Sequence, residues 1–196
     1  TLLDGKLSIR LGQLLADSEF ATSETAGLFV NSAFGWPALH GIVLPGGGPA
    51  YPVPAPGVRV AFKPDDAWTV QAGVYSGNPL GRNDKNKHGL TFPLNQGVFA
   101  IAEAAYTHDY GGGVTGTYKL GGWYNSRRFD DVRIATNGLS FADPNADPDP
   151  LRHRGNFAFY GVIDQVLWKP PDAETTGRSL AAFARDEGLG GFAFYH

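Results

Sequence analysis

Arg10, Arg59, Lys63, Lys119 and Arg185 supply hydrogen-bond donors, Glu103 and Asp164 supply acceptors, Gln71 supplies both, and Tyr75 and Trp123 supply aromatic faces. A guanidinium is a rigid fork of donors, a carboxylate accepts, and an aromatic face covers the apolar side of a pyranose. Such a set suits weak, reversible holding of a hydroxyl-rich ligand, which needs no nucleophile. A hydrolytic reading requires Glu103 and Asp164 to stand about 5–10 Å apart as an acid–base pair. Nothing in their spacing places them so, and no enzyme is expected. No cofactor or metal is expected either. The histidines at 40, 88, 108, 153 and 196 lack ligand spacing, and there is no cysteine to supply a thiolate. Asp143, Asp147 and Asp149 in "FADPNADPDP" offer oxygens for calcium, but turn chemistry accounts for them more simply. The glycine triplets at 46–48 and 111–113 lack the strand-to-helix setting of a phosphate loop.

The elements that position these side chains are strands. In "VRVAFKPDDAWTVQAGVY" Val58, Val60 and Phe62 alternate with Arg59, Ala61 and Lys63. After Pro64-Asp65-Asp66, the residues Trp68, Val70, Ala72 and Val74 alternate with Thr69, Gln71, Gly73 and Tyr75. This is a hairpin with one apolar and one wet face. Strands are expected at about 6–15, 57–64, 67–76, 97–107, 115–125, 155–169 and 178–187, with part of another in "GLGGFAFYH". A short helix fits "SEFATSETAGLFV", capped by Ser18 or Thr22.

The connections decide where the water is. Long ones cover about 16–56, 77–96 and 126–154, and short ones cover 65–66, 108–114 and 170–177. Antiparallel strands reverse at each step, so this alternation gathers the long loops at one end. That is the pattern of an up-and-down transmembrane β-barrel. Phe62, Trp68, Tyr106, Tyr118 and Trp168 flank the short turns, where aromatic rings suit the headgroup layer. Val58, Val60, Phe62, Val70 and Val74 then face lipid, and the polar set above faces a lumen. A lipid-facing charge costs roughly 2–4 kcal/mol at the bilayer midplane, which sets the parity. Two strands fit less well. "VFAIAEAAY" leaves mainly alanines outside when Glu103 points in, and Asp164 and Gln165 have opposite parity. One of the two must face outward unless a bulge intervenes, and a subunit contact there is another answer.

The 196 residues suffice for one domain, read as a single barrel segment over 1–196. No run approaches the ~20 apolar residues of a membrane helix, which leaves strands as the only spanning elements. A net charge of −3 argues against a nucleic-acid binder. There is no methionine and no signal peptide, so the chain reads as a mature piece or an excerpt.

The stretches "GQLLADSEFATSETAGLFVNSAFGWP" and "GPAYPVPAPGVRVAFKPDDAWTVQAGVYSGNP" resemble the carbohydrate-selective porins of the OprB family. "FAIAEAAY", "GTYKLGGWYNSRRFDD" and "HRGNFAFYGVIDQVLWKP" follow in similar order, while "EGLGGFAFYH" departs from the pattern. The resemblance implies an outer-membrane barrel of about sixteen strands that passes glucose-type sugars, of which this chain supplies seven or eight. It also implies an eyelet of arginines and aromatics, with carbohydrate, outer-membrane lipid and lipopolysaccharide as partners. An oligomer is compatible with it. The longest connection, 16–56, carries Asp17, Glu19, Glu24, Phe29, Phe34 and Trp36. It is either a constriction loop or a loop packed over the rim. The cluster Arg152-His153-Arg154 suits lipopolysaccharide phosphates, the pore mouth or a solvated loop. Two other functions fit the same residues. One is an anion-selective porin, since cations dominate the wall; the other is a soluble β-sandwich lectin.

Overall fold

The computed structural model describes residues 2–30, 35–82, 85–86, 88–171 and 178–189, the last three by backbone alone. Seven strands form one antiparallel sheet in strict chain order. They are β1 (Leu7–Leu14), β2 (Ala55–Phe62), β3 (Trp68–Ser76), β4 (Val98–Asp109), β5 (Thr115–Ala135), β6 (Pro150–Trp168) and β7 (Leu180–Leu189). Every strand pairs only with its sequence neighbours, and tight turns join β2 to β3 and β4 to β5. At 63–67, Asp65 Oδ1 accepts from the Ala67 and Trp68 amides, closing the turn. At 110–114, three glycines with positive φ turn the chain. The connections 15–54, 77–97 and 136–149 lie at the opposite end.

Period-two alternation is met on both sides of the sheet. Val60, Phe62, Val70 and Val74 are exposed on one face, with Val98, Leu120, Tyr124 and Phe159. Arg59, Tyr75, Phe99, Ile101, Glu103, Trp123 and Tyr160 are buried on the other. They are buried because residues 15–30 and 35–54 fold back across that inner face. Phe20, Ala21, Val43 and Leu44 of the loop pack on Tyr75, Phe99, Ile101, Trp123 and Tyr160. Each large side chain so covered contributes about 1.5–3 kcal/mol. On the outward face, Ala72, Ala100, Ala102, Ala104 and Gly122 line a shallow apolar recess.

Two expectations need correction. The connection expected at 126–154 is only 136–149, since β5 runs to Ala135 and β6 starts at Pro150. The register breaks between Asn125 and Arg128 and again between Asp130 and Ala135, and these irregularities hide the strand's period. The helix expected within 18–30 is one 3-10 turn, Ala26–Leu28, while a six-residue helix, α1 (Ala38–Val43), comes later. Asp164 and Gln165 differ in parity as expected, and it is Gln165 that faces outward. It pairs regularly opposite Gly116, and its outward amide bonds to Tyr118, Thr115 and Val166. Residues 190–196, where an eighth strand was expected to start, lie outside the described residues.

Candidate functional site: a loop pegged across the inner wall

The loop that enters from β1 crosses the sheet from edge to edge, and successive loop residues meet successive strands. Glu19 binds Arg10 of β1 at 2.7 Å and forms an ion pair with Arg59 of β2. The Glu19 carbonyl accepts from Gln71 of β3 at 2.7 Å. The Ala21 amide donates to Glu103 of β4 at 2.8 Å. Lys119 of β5 donates to the Thr22 carbonyl at 2.7 Å and the Thr22 hydroxyl at 2.9 Å. Asp164 of β6 accepts from Ser23 Oγ at 2.7 Å and from the Glu24 amide at 3.1 Å. Arg185 of β7 donates to the Gly35 carbonyl at 2.8 Å.

Two carboxylates do most of the holding. Glu103 is buried and accepts from Ala21, from Gln71 at 3.0 Å and from Tyr160 at 2.9 Å. Three donors on one buried carboxylate offset the desolvation that would otherwise exclude it. Ala21 sits at φ 55°, the left-handed region that an alanine enters at a cost of about 1–2 kcal/mol. The bond to Glu103 lies at that kink. Ser23 works twice, donating to Asp164 and accepting from the Ala26 amide at 3.0 Å, which starts the 3-10 turn.

Farther along the loop, α1 lays His40 against the wall. Its ring meets Trp36, Trp123 and Tyr160 edge-on, with centroids 4.9, 5.4 and 6.1 Å away. Neither ring nitrogen has a hydrogen-bond partner among the described residues. Burial first, and the charge of Arg185 second, lower its pKa to about 4.

The residues singled out in the sequence therefore gather on one face, but most of them grip the loop. Arg59, Tyr75, Glu103 and Trp123 are buried beneath it. Trp123, expected as a sugar platform, is covered by His40. Arg10 and Arg59, expected as unpaired forks, share Glu19. Gln71, Lys119, Asp164 and Arg185 each bond to the loop, and Lys63 stands exposed beside the short-turn end. Sequence reasoning passed over Tyr160, His40 and Asn156. Tyr160 and Asn156 share the inward parity of Asp164, which was a usable signal; nothing local marks His40.

An up-and-down sheet with an apolar outer face and a long connection laid over its inner face is the wall of a porin-type barrel. The model of the carbohydrate-selective porin, OprB family, matches residues 1–186, and the chain belongs to that family. Among solved structures, the high-pH structure of Pseudomonas putida OprB is similar, with a TM-score of 0.72 at 23% identity. The match covers 96% of this chain and 43% of that one, so the chain spans less than half of its length. Curated protein sequences yield no match.

Proposed function

We propose that the protein conducts carbohydrates of the glucose type by facilitated diffusion through a water-filled barrel in the bacterial outer membrane. Residues 19–25 narrow the passage. The observation that carries this reading is the loop pegged strand by strand across the inner face, since a fixed narrowing is what a selective pore needs. The exposed apolar outer face fits contact with membrane lipid, and exposed Arg152 and Arg154 near the long-loop end fit lipopolysaccharide headgroups. A sandwich lectin would have to leave that apolar face in water. An anion-selective pore is less favoured, because Arg10 and Arg59 share the Glu19 carboxylate. Glu103 and Asp164 serve as loop acceptors rather than as an acid–base pair.

The test is single-channel recording of the full-length protein in planar bilayers, with glucose and then phosphate as blockers. Glucose is expected to reduce the ion current in a saturable way, and phosphate is not. Saturable block by phosphate with none by any sugar would replace this reading by the anion-selective one.

A further inference from the structure

Arg128 and Arg154 stand directly opposite each other where β5 and β6 rise past their neighbours. β4 last pairs with β5 at Asn125, and β7 last pairs with β6 at Ala158. Among the described residues the two strands then continue alone towards the 136–149 connection. On β6, Arg152 and Arg154 continue the parity of Asn156, Ala158 and Tyr160, which are buried on the inner face. Residues opposite each other across an antiparallel pair share a face, which sets Arg128 and Asp130 there as well. Arg128 agrees, since with Pro45 and Phe141 it borders a hollow of about 520 Å³ beside the loop that covers this face. The pair therefore looks onto the mouth at the long-loop end, apart from the narrowing at residues 19–25.

Both arginines are exposed, and among the described residues neither guanidinium has an ion pair or a hydrogen bond. The carboxylates that border the same hollow are engaged. Asp130 holds Arg152 at 3.1 Å, and Asp131 contacts His153 at 2.8 Å and accepts from the Arg133 and Ile134 amides. Like charges directly opposite each other destabilise a strand pair, a cost that Gln at either position would remove. The sheet holds a second pair of the same build. Arg10 and Arg59 are also opposite in register, and the Glu19 carboxylate stands between them with one oxygen towards each. Between Arg128 and Arg154 the described residues supply no such carboxylate.

The first pair is a template for what the second can hold. A carboxylate presents two oxygens, and two facing guanidiniums present one fork to each, in charge-assisted hydrogen bonds. At Arg10 and Arg59 the chain provides that group itself; at Arg128 and Arg154 a solute has to bring it. We infer that Arg128 and Arg154 form a capture site for the carboxylate of a small organic acid, such as a sugar acid, at the mouth of the long-loop end. A phosphate of a lipid headgroup or of a free solute is the competing occupant, since it reaches the same rim and takes the same forks. The inner-face position of the pair favours a solute over a lipid. This rests on the porin reading above and adds an anionic class of solute to it. A solute held here stands wide of the narrowing, so the site is read by binding and not by block of the ion current.

The experiment is titration of the full-length protein in detergent with sodium gluconate, followed by ligand-observed NMR at low salt. Wild type is compared with Arg128→Gln/Arg154→Gln and with Arg154→Lys. The double variant removes two opposed like charges, so the fold is retained. Arg154→Lys keeps the charge, loses one fork, and keeps the test open should the double variant fail to assemble. The Kd for gluconate is expected to rise about tenfold in the double variant and by less in Arg154→Lys. Glucose, the neutral counterpart, should not distinguish the three proteins. Equal gluconate affinity in all three would overturn the site. Displacement of gluconate by rough lipopolysaccharide, or tighter binding of inorganic phosphate than of gluconate, would assign the pair to phosphate and overturn it as well. Absence of glucose block of the wild-type current in planar bilayers would count against the sugar-conduction reading and leave the gluconate result standing.

Discussion

Replacing Glu19 by Ala isolates the pin that begins the loop's crossing. The Glu19 and Arg59 side chains are 10% and 7% exposed, and Arg59's remaining side-chain partner is Ser8 Oγ at 3.1 Å. Removing one member of a buried pair leaves the other charge uncompensated, at a cost of about 3–5 kcal/mol. The link to Arg10 adds under ~1 kcal/mol, because that guanidinium is 58% exposed. A loss of about 3 kcal/mol shifts the docked loop against the released one by roughly a hundredfold. Three readouts follow for the full-length protein. Its melting temperature in detergent falls, its single-channel conductance rises as the segment leaves the wall, and its ion preference moves towards anions. Glu19→Gln keeps an acceptor and should do less. The double variant Glu19→Gln, Arg59→Met should recover most of the stability, because an apolar side chain of similar volume replaces the stranded cation. Wild-type melting and wild-type conductance in Glu19→Ala would show that this pair does not hold the loop.

Two other perturbations probe the same wall. His40 is held neutral when docked, with a pKa of about 4 against 6.5 when free. The released loop therefore binds the extra proton, and docking weakens as pH falls from about 6.5 to 4, by up to ~3 kcal/mol, and levels off below. Tryptophan emission, sensitive to Trp36 and Trp123, should report this change, and His40→Phe should abolish it; a variant with the same acid profile would exonerate His40. At Gly121, a Cβ would collide with the ring of Tyr160, whose hydroxyl reaches Glu103. Gly121→Ala should thus lower stability by about 1–3 kcal/mol and loosen the loop, visible as a lower urea midpoint together with raised conductance. Unchanged values would mean that Tyr160 has room to move.

What was legible in the chain was face, and what was not was partner. Alternation in Val58–Phe62 and Trp68–Tyr75 separates the two sides of the sheet, because in a strand the period is two and a charge among apolar neighbours sets the parity. It placed Arg59, Glu103 and Asp164 on the inner side. It does not say that Glu19, Ala21 and Ser23 would take up their hydrogen bonds, since those contacts join residues far apart in sequence. The extent of β5 was hidden for a different reason. From Ser126 to Asp131 the run "SRRFDD" carries too many charges to alternate, and the bulges there shift the register. Helix α1 is only six residues long, which is too short for a helical period to show.

The crossing loop also imposes an order on assembly. Its anchors lie 9 residues away for Arg10, 52 for Gln71, 82 for Glu103, 97 for Lys119, 141 for Asp164 and 150 for Arg185. A segment near the chain's start thus waits on strands made progressively later, and each new strand supplies the next attachment. Contacts of such separation form slowly, because the intervening chain must be ordered before they bring any gain. The loop's full set of attachments is therefore complete only once β6 and β7 are in place.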